Sequence, residues 1–209
     1  MRNQYVGMLL ACEILLGASC GGSGTALAAG TAPATQPTQA VASISGHFAL
    51  AGTDGRKITD ATLRGKWLVV YFGYTSCPDV CPTVILRIGQ ALTSIGSSAE
   101  QIQPVFITVD PVRDTPERLA KYMAAFDPRV LGLRGDAAQT REAARQFHVY
   151  YRTRSLDGGD YSVDHSSFLY IIDPRGNFSK LLADTLSSDQ LAAELRTLVE
   201  QADAGKFPR

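Results

Sequence analysis

The stretch WLVVYFGYTSCPDVCPT, Trp67 to Thr83, decides how the rest of the chain is read. Its opening residues, Trp67 to Phe72, are apolar without interruption and rich in β-branched and aromatic side chains, as in a strand covered on both faces. Its far end runs into Val84, Ile88, Leu92 and Ile95, which recur at the 3.6-residue period of an amphipathic helix. Between strand and helix stand Cys77 and Cys81, each followed by a proline. On a helical turn the two cysteines are i and i+4, with both sulfurs on one side, within reach of one ion or of each other. A helix N-terminus beside them favours the thiolate, which is both the nucleophile and the metal ligand. Pro78 and Pro82 stiffen the turn, and the same spacing predicts a disulfide between Cys77 and Cys81 on oxidation.

Working outward, Val105 to Val109 and Phe168 to Ile172 are two further buried-strand runs. Amphipathic helices are expected through Leu119, Tyr122, Met123 and Phe126, and through Leu191, Leu195, Leu198 and Val199. Thr115-Pro116, Asp136 and Ser188-Asp189 are helix-start signals, the second opening a segment Ala137 to Phe147. Asp173 to Asn177 reads as a tight turn that makes the last two strands a hairpin. A β-α-β unit followed by a β-β-α unit predicts an α/β fold, a compact central mixed sheet with helices on both faces.

Composition sets the outer bounds. The chain has 209 residues, and 20 Lys and Arg cancel 20 Asp and Glu, so it lacks the basic field that a nucleic-acid partner requires. Only four cysteines occur, Cys12 and Cys20 near the start and the Cys77/Cys81 pair, so there is one isolated dithiol and no disulfide framework. Residues 1–29 read as an export leader. Arg2 supplies the positive end, and Val6 to Ala18, interrupted by Glu13, is an apolar region shorter than the roughly 20 residues of a membrane span. Gly17-Ala18-Ser19-Cys20 resembles a lipoprotein site with lipid on Cys20, while Ala26-Leu27-Ala28 offers an A-x-A cut; an uncleaved anchor is the third alternative. Residues 30–43 read as a flexible, uncharged linker of small residues and proline, and 44–209 as the folded domain.

Three histidines differ in position. His165 lies in Val163-Asp164-His165-Ser166, in a loop before the strand at Phe168 and after the Gly158-Gly159 pair, where it is either a functional donor or a turn histidine. His148 reads as a helix-end residue and His47 as a surface one. Asp79 and Asp164 stand beside candidate donors as orienting acceptors or as ordinary helix-start and turn residues. Asp110, Arg113 and Asp114 either frame the same region or simply end a strand.

Three segments, YFGYTSCPDVCPT (Tyr71 to Thr83), ITVDPVRDTPERL (Ile107 to Leu119) and VDHSSFLYIIDPRGNF (Val163 to Phe178), occur in an order that resembles the Sco/SenC copper chaperones of cytochrome c oxidase assembly. That resemblance implies a thioredoxin-like fold and copper bound by Cys77, Cys81 and His165. It also implies a partner that is either the copper-site subunit of the oxidase or another copper chaperone. With the leader, it points to export into a bacterial periplasm, tethered to the cytoplasmic membrane through the N-terminus. The donor chemistry agrees: two thiolates and an imidazole suit Cu(I), which accepts two or three ligands, whereas structural zinc wants a fourth. The competing reading is a thiol–disulfide oxidoreductase in which Cys77 attacks and Cys81 resolves. Against it, the spacing is one residue longer than C-x-x-C, and Asp164-His165-Ser166 stands where such enzymes carry a cis-proline.

Overall fold

The computed structural model describes residues 44–203 and Gly205. The leader, Cys20 and the linker lie outside the described residues. The elements are β1 (Ala49–Gly52), β2 (Lys57–Thr59), β3 (Trp67–Gly73), α1 (Val80–Ser94), β4 (Ile102–Thr108), α2 (Pro116–Met123) and β5 (Leu131–Arg134), followed by α3 (Ala137–Gln146), β6 (Tyr151–Ser155), β7 (Tyr161–His165), β8 (Phe168–Ile172), β9 (Phe178–Ala183) and α4 (Ser188–Asp203). Seven strands form one sheet in the order β2-β1-β5-β4-β3-β8-β9, and β6 and β7 form a separate two-stranded ribbon.

β3 is an interior strand, and every one of its residues is aromatic, aliphatic or glycine. It runs parallel to β4 and antiparallel to β8, and all of it is buried. Register pairs Tyr71 with Phe106 on one face, where Phe106 packs against Tyr122 of α2 at 5.9 Å between ring centroids and Tyr71 meets Cys81 of α1. α4 lies along α1. On the other face Phe72, Tyr170 and Phe147 form an edge-on aromatic trio with centroids 5.2 to 5.8 Å apart, and Phe147 ends α3. Each of these buried rings contributes about 2 kcal/mol by removing apolar area from water. The result is the α/β arrangement expected from the sequence, a thioredoxin-like mixed sheet with helices on both faces, built from β3-α1-β4 and β8-β9-α4.

The helix starts follow local chemistry. Thr115 caps α2 through Arg118 N–H with Pro116 in the first turn, and Asp136 forms a reciprocal capping box with Gln139. α4 is capped one residue earlier than the sequence suggests: Ser187 Oγ accepts from Gln190 N–H while the Gln190 side chain accepts from Ser187 N–H. Asp173 Oδ1 accepts from the N–H groups of Arg175 and Asn177, closing the β8–β9 hairpin. No helix among the described residues is long and apolar enough to cross a membrane.

Candidate metal centre

The site forms where β3 hands over to α1. After Gly73 the chain turns, with Cys77 N–H donating to Tyr74 O, and the helix begins only at Val80. Cys77 therefore precedes the helix, which corrects the i, i+4 helical reading; a turn, and not a helical repeat, brings the two sulfurs together. Asp79 occupies the cap position but its side chain makes no capping bond. The Cys77 sulfur takes that role, facing Cys81 N–H at 3.5 Å. Pro82 falls in the first helical turn, where a missing N–H leaves no intrahelical bond unmade.

Cys81 is fully buried and Cys77 half-buried, and both are free thiols. The floor beneath Cys81 is Gly73: a Cβ there would come within 2.9 Å of Cys81 Sγ and 2.8 Å of the Phe106 ring, so only glycine lets the sulfur settle at this depth. Charge is divided unequally between the pair. The Cys81 thiol donates to the Cys77 sulfur, backbone N–H groups of Cys81 and Asp79 add to it, and His165 lies nearby. Together these outweigh burial and pull Cys77 down from 9.0 to about 5. Cys81 moves the opposite way, because its proton is engaged with Cys77 and because burial disfavours its charge. The pair is thus a thiolate at Cys77 backed by a thiol at Cys81.

His165 arrives from the other side as the last residue of β7, not in an irregular loop. Its Nε2 lies 3.6 Å from Cys81 Sγ, and its Nδ1 lies 3.0 Å from Ser166 O. A carbonyl only accepts, so Nδ1 donates to Ser166 O and leaves Nε2 facing Cys81 Sγ. Two rings wall it in edge-on, Tyr71 at 6.2 Å and Tyr74 at 6.1 Å between centroids. Gly158 and Gly159 are at the opposite end of the ribbon, in the turn between β6 and β7.

The neighbouring acids sort differently from expectation. Asp164 is out of phase with His165 on the strand and pairs with Arg154 at 2.9 Å. Asp79 is exposed and offers only its backbone N–H. Ser166 O, not a carboxylate, orients the imidazole. Asp114, by contrast, is fully buried and accepts from Thr75 N–H, Thr75 Oγ1 and Thr108 Oγ1 at 2.5 to 3.0 Å, tying the loop before Cys77 to the end of β4. Arg118 donates to Thr75 Oγ1 and Ser76 Oγ on the same loop. His47 pairs with Asp60, and His148 is an exposed residue with φ +55° just past α3, a helix end as expected.

Sequence reasoning had not assigned Tyr71, Tyr74, Thr75 or Ser167 to the site. Tyr71 O–H reaches Cys81 Sγ at 3.9 Å and lies 3.2 Å from Ser167 Oγ, which donates to Asp184. The available signal was the pair of tyrosines straddling Gly73 immediately before the cysteines. Among the described residues no group of three or more His, Cys, Asp or Glu side chains stands ready-made as a cation cage. Cys81 is nevertheless the shared neighbour of the other two candidate donors, with Cys77 Sγ 3.5 Å from its N–H and His165 Nε2 3.6 Å from its sulfur.

Comparison with known proteins bears on what such a spot is for. The family model described as SCO1/SenC matches residues 36–200. A SCO2 homologue of Bos taurus is 37% identical over 190 residues, covering 87% of this chain and 71% of its own length. A mitochondrial SCO1 homologue of Arabidopsis thaliana is 38% identical over 156 residues, covering 74% of this chain. The chain spans only about half the length of the latter and of two further relatives, 47%, 58% and 55%. Among solved structures, copper-bound ScoI of Bradyrhizobium japonicum superposes with a TM-score of 0.69 at 37% identity, covering 74% of this chain and 99% of that one. Copper-bound yeast Sco1 gives 0.70 at 32%, covering 80% of this chain and 96% of that one. A motif set in the right order, a thioredoxin-like sheet and a match running over most of the folded region therefore agree, and the chain belongs to the SCO1/SenC family.

Proposed function

We propose that this chain binds copper through Cys77, Cys81 and His165 and serves the assembly of the copper site of cytochrome c oxidase. The observation that supports it is a Cys77 thiolate and an imidazole nitrogen on either side of the buried Cys81 thiol at the end of β3. These donors suit a soft ion of low coordination number, and they exclude the hard, oxygen-bound cations. Because the three are not preassembled, loading draws them together and releases the Cys81 proton. Copper-bound relatives of similar sequence support the same metal. The recipient is the oxidase subunit that carries copper or a second copper chaperone. This reading places the chain after export, in the bacterial periplasm and held to the cytoplasmic membrane by its N-terminus, with Cys20 as the candidate lipid attachment point. Several curated relatives are named as mitochondrial, and the bacterial ScoI belongs to the same group of matches.

The test is competition against a Cu(I) chelator. Cys77→Ser and Cys81→Ser should each lose tight Cu(I) binding, while His165→Ala weakens Cu(II) strongly and Cu(I) less, since two thiolates still hold the softer ion. A single-cysteine variant that retains Cu(I) like the parent refutes the dithiol site.

A second reading is favoured by one specific observation, the unequal thiols. The half-buried Cys77 thiolate is placed to attack a partner disulfide, forming a mixed disulfide and releasing one partner thiolate. Cys81, giving up its proton, then attacks Cys77 Sγ, leaving a Cys77–Cys81 disulfide and a partner dithiol reduced by two electrons. The two readings share a requirement for the reduced dithiol, which takes up Cu(I) in one and gives up two electrons in the other. Oxidation to the Cys77–Cys81 disulfide should abolish that uptake, and equal Cu(I) affinity before and after oxidation counts against the dithiol copper site.

A further inference from the structure

Resting on the reading of His165 as a copper ligand, we propose that Arg113 is a positioning residue that clamps the β6–β7 ribbon to the end of β4 and thereby holds the His165 ring at the dithiol. β7 presents alternate residues to one side, so Tyr161, Val163 and His165 share the face turned to the body of the domain. At its near end that face carries His165 against Tyr71, Tyr74 and Cys81. At its far end Tyr161 lies beneath the Arg113 guanidinium, 3.7 Å from Cζ to the ring centroid, and its O–H donates to Asp110 Oδ1 at 2.8 Å.

Arg113 touches both elements at once. Its Nε donates to Asp110 Oδ2 at 2.5 Å in the segment after β4, and its NH1 donates to Tyr161 O at 2.7 Å and to Asp160 Oδ1 at 2.9 Å on the ribbon. The side chain is only 16% exposed, and its remaining amine is buried without an acceptor. The same guanidinium stands 5.7 Å from the Tyr74 ring, whose edge abuts His165, so a continuous line of contact runs from Arg113 through Tyr74 to the imidazole.

The ribbon needs such a clamp. β6 and β7 pair only with each other, four of the five β6 residues are exposed, and an isolated two-stranded ribbon is marginal in water. Val163 is the one buried side chain along β7 and its backbone N–H meets Tyr74, Tyr151 packs on the core from β6, and the Arg113, Asp110 and Tyr161 cluster adds the anchor at the far end. Only a planar fork stacks on Tyr161 while bonding Asp110 and a carbonyl; a lysine offers one point charge and cannot do all three.

The experiment compares the full chain with Arg113→Met, Arg113→Lys and His165→Ala, all reduced. In the metal-free protein, Arg113→Met should speed amide exchange across 161–165 by about tenfold and weaken the NMR cross-peak between the Tyr74 and His165 rings, with Arg113→Lys giving no rescue. On Cu(II) loading, its thiolate-to-copper charge-transfer spectrum should move toward that of His165→Ala, while Cu(I) retention stays at the parent level. Parent-like exchange and an intact Tyr74–His165 cross-peak in Arg113→Met overturn the clamp whatever the copper data show. Cu(II) binding by His165→Ala that equals the parent overturns the ligand reading instead, and the two metal-free measurements still decide the clamp. Should Arg113→Met fail to fold, Tyr161→Leu, which keeps the Arg113–Asp110 pair and removes the ring, carries the same expectations and the same refutation.

Discussion

Alkylation of the reduced protein with iodoacetamide should modify Cys77 first, with a rate midpoint near pH 5, because that sulfur accepts from the Cys81 thiol and from two backbone N–H groups. The pH of the comparison matters. At pH 7 a thiol titrating near 5 is about a hundredfold richer in thiolate than one titrating near 9. Lower basicity costs nucleophilicity with a slope of about 0.45, roughly sixtyfold over this range, so the net advantage is only about twofold. At pH 5.5 the thiolate ratio is about 2,400, and after the same correction Cys77 should react about 40-fold faster than an unperturbed thiol of equal access. Half-burial of Cys77 scales the whole curve without moving its midpoint. The assay is mass-spectrometric mapping of the alkylated cysteine as a function of pH, with Cys81→Ser as the control that removes the donating thiol and raises the midpoint. A midpoint between 8 and 9 for both thiols, or equal labelling of Cys77 and Cys81 at pH 5.5, refutes the unequal sharing of the proton.

Two further outcomes follow from the same geometry. Gly73→Ala forces a methyl to within 2.9 Å of Cys81 Sγ and 2.8 Å of the Phe106 ring, so it should destabilise by about 1–3 kcal/mol and lower Tm by roughly 2–12 °C. Its Cu(I) affinity should fall as well, and an unchanged Tm would mean the floor of the site yields. In the reduced protein Cys77, depressed in the folded state to about 5, contributes stability that is present above its unfolded value of 9.0 and lost as pH falls toward 5. Cys81, raised in the folded state, contributes stability below 9.0 that is lost above it. The dithiol therefore adds a maximum near pH 9 to the stability profile, measurable by urea unfolding, and Cys77→Ser should remove its rising limb between 5 and 9.

The central strands were legible because burial on both faces demands unbroken apolar runs, and β3 and β8 begin at Trp67 and Phe168 as read. β4 starts earlier than its pattern suggests, at Ile102, because Gln103 and Pro104 interrupt it; β5 pairs only from Val105 onward, so Pro104 has no partner on that side. The β6–β7 ribbon was invisible for the opposite reason. Tyr151-Arg-Thr-Arg-Ser155 and Tyr161-Ser-Val-Asp-His165 are polar on the outer face and nearly so on the inner, leaving no apolar period to detect. The three candidate donors were legible as residues, since cysteines and histidines carry few other meanings at such positions. What holds them was not, because Tyr71, Tyr74 and Asp114 act through contacts between segments distant in sequence. Thr75 and Asp114 are 39 residues apart and yet share two hydrogen bonds.

The most direct test of the proposed copper site is X-ray absorption at the copper edge of the reduced protein after loading with Cu(I). The account predicts one tightly held copper per chain, with two sulfur neighbours and one imidazole nitrogen that disappears in His165→Ala. A shell dominated by oxygen, a single sulfur neighbour, or a reduced protein that takes up zinc in preference to copper would contradict it.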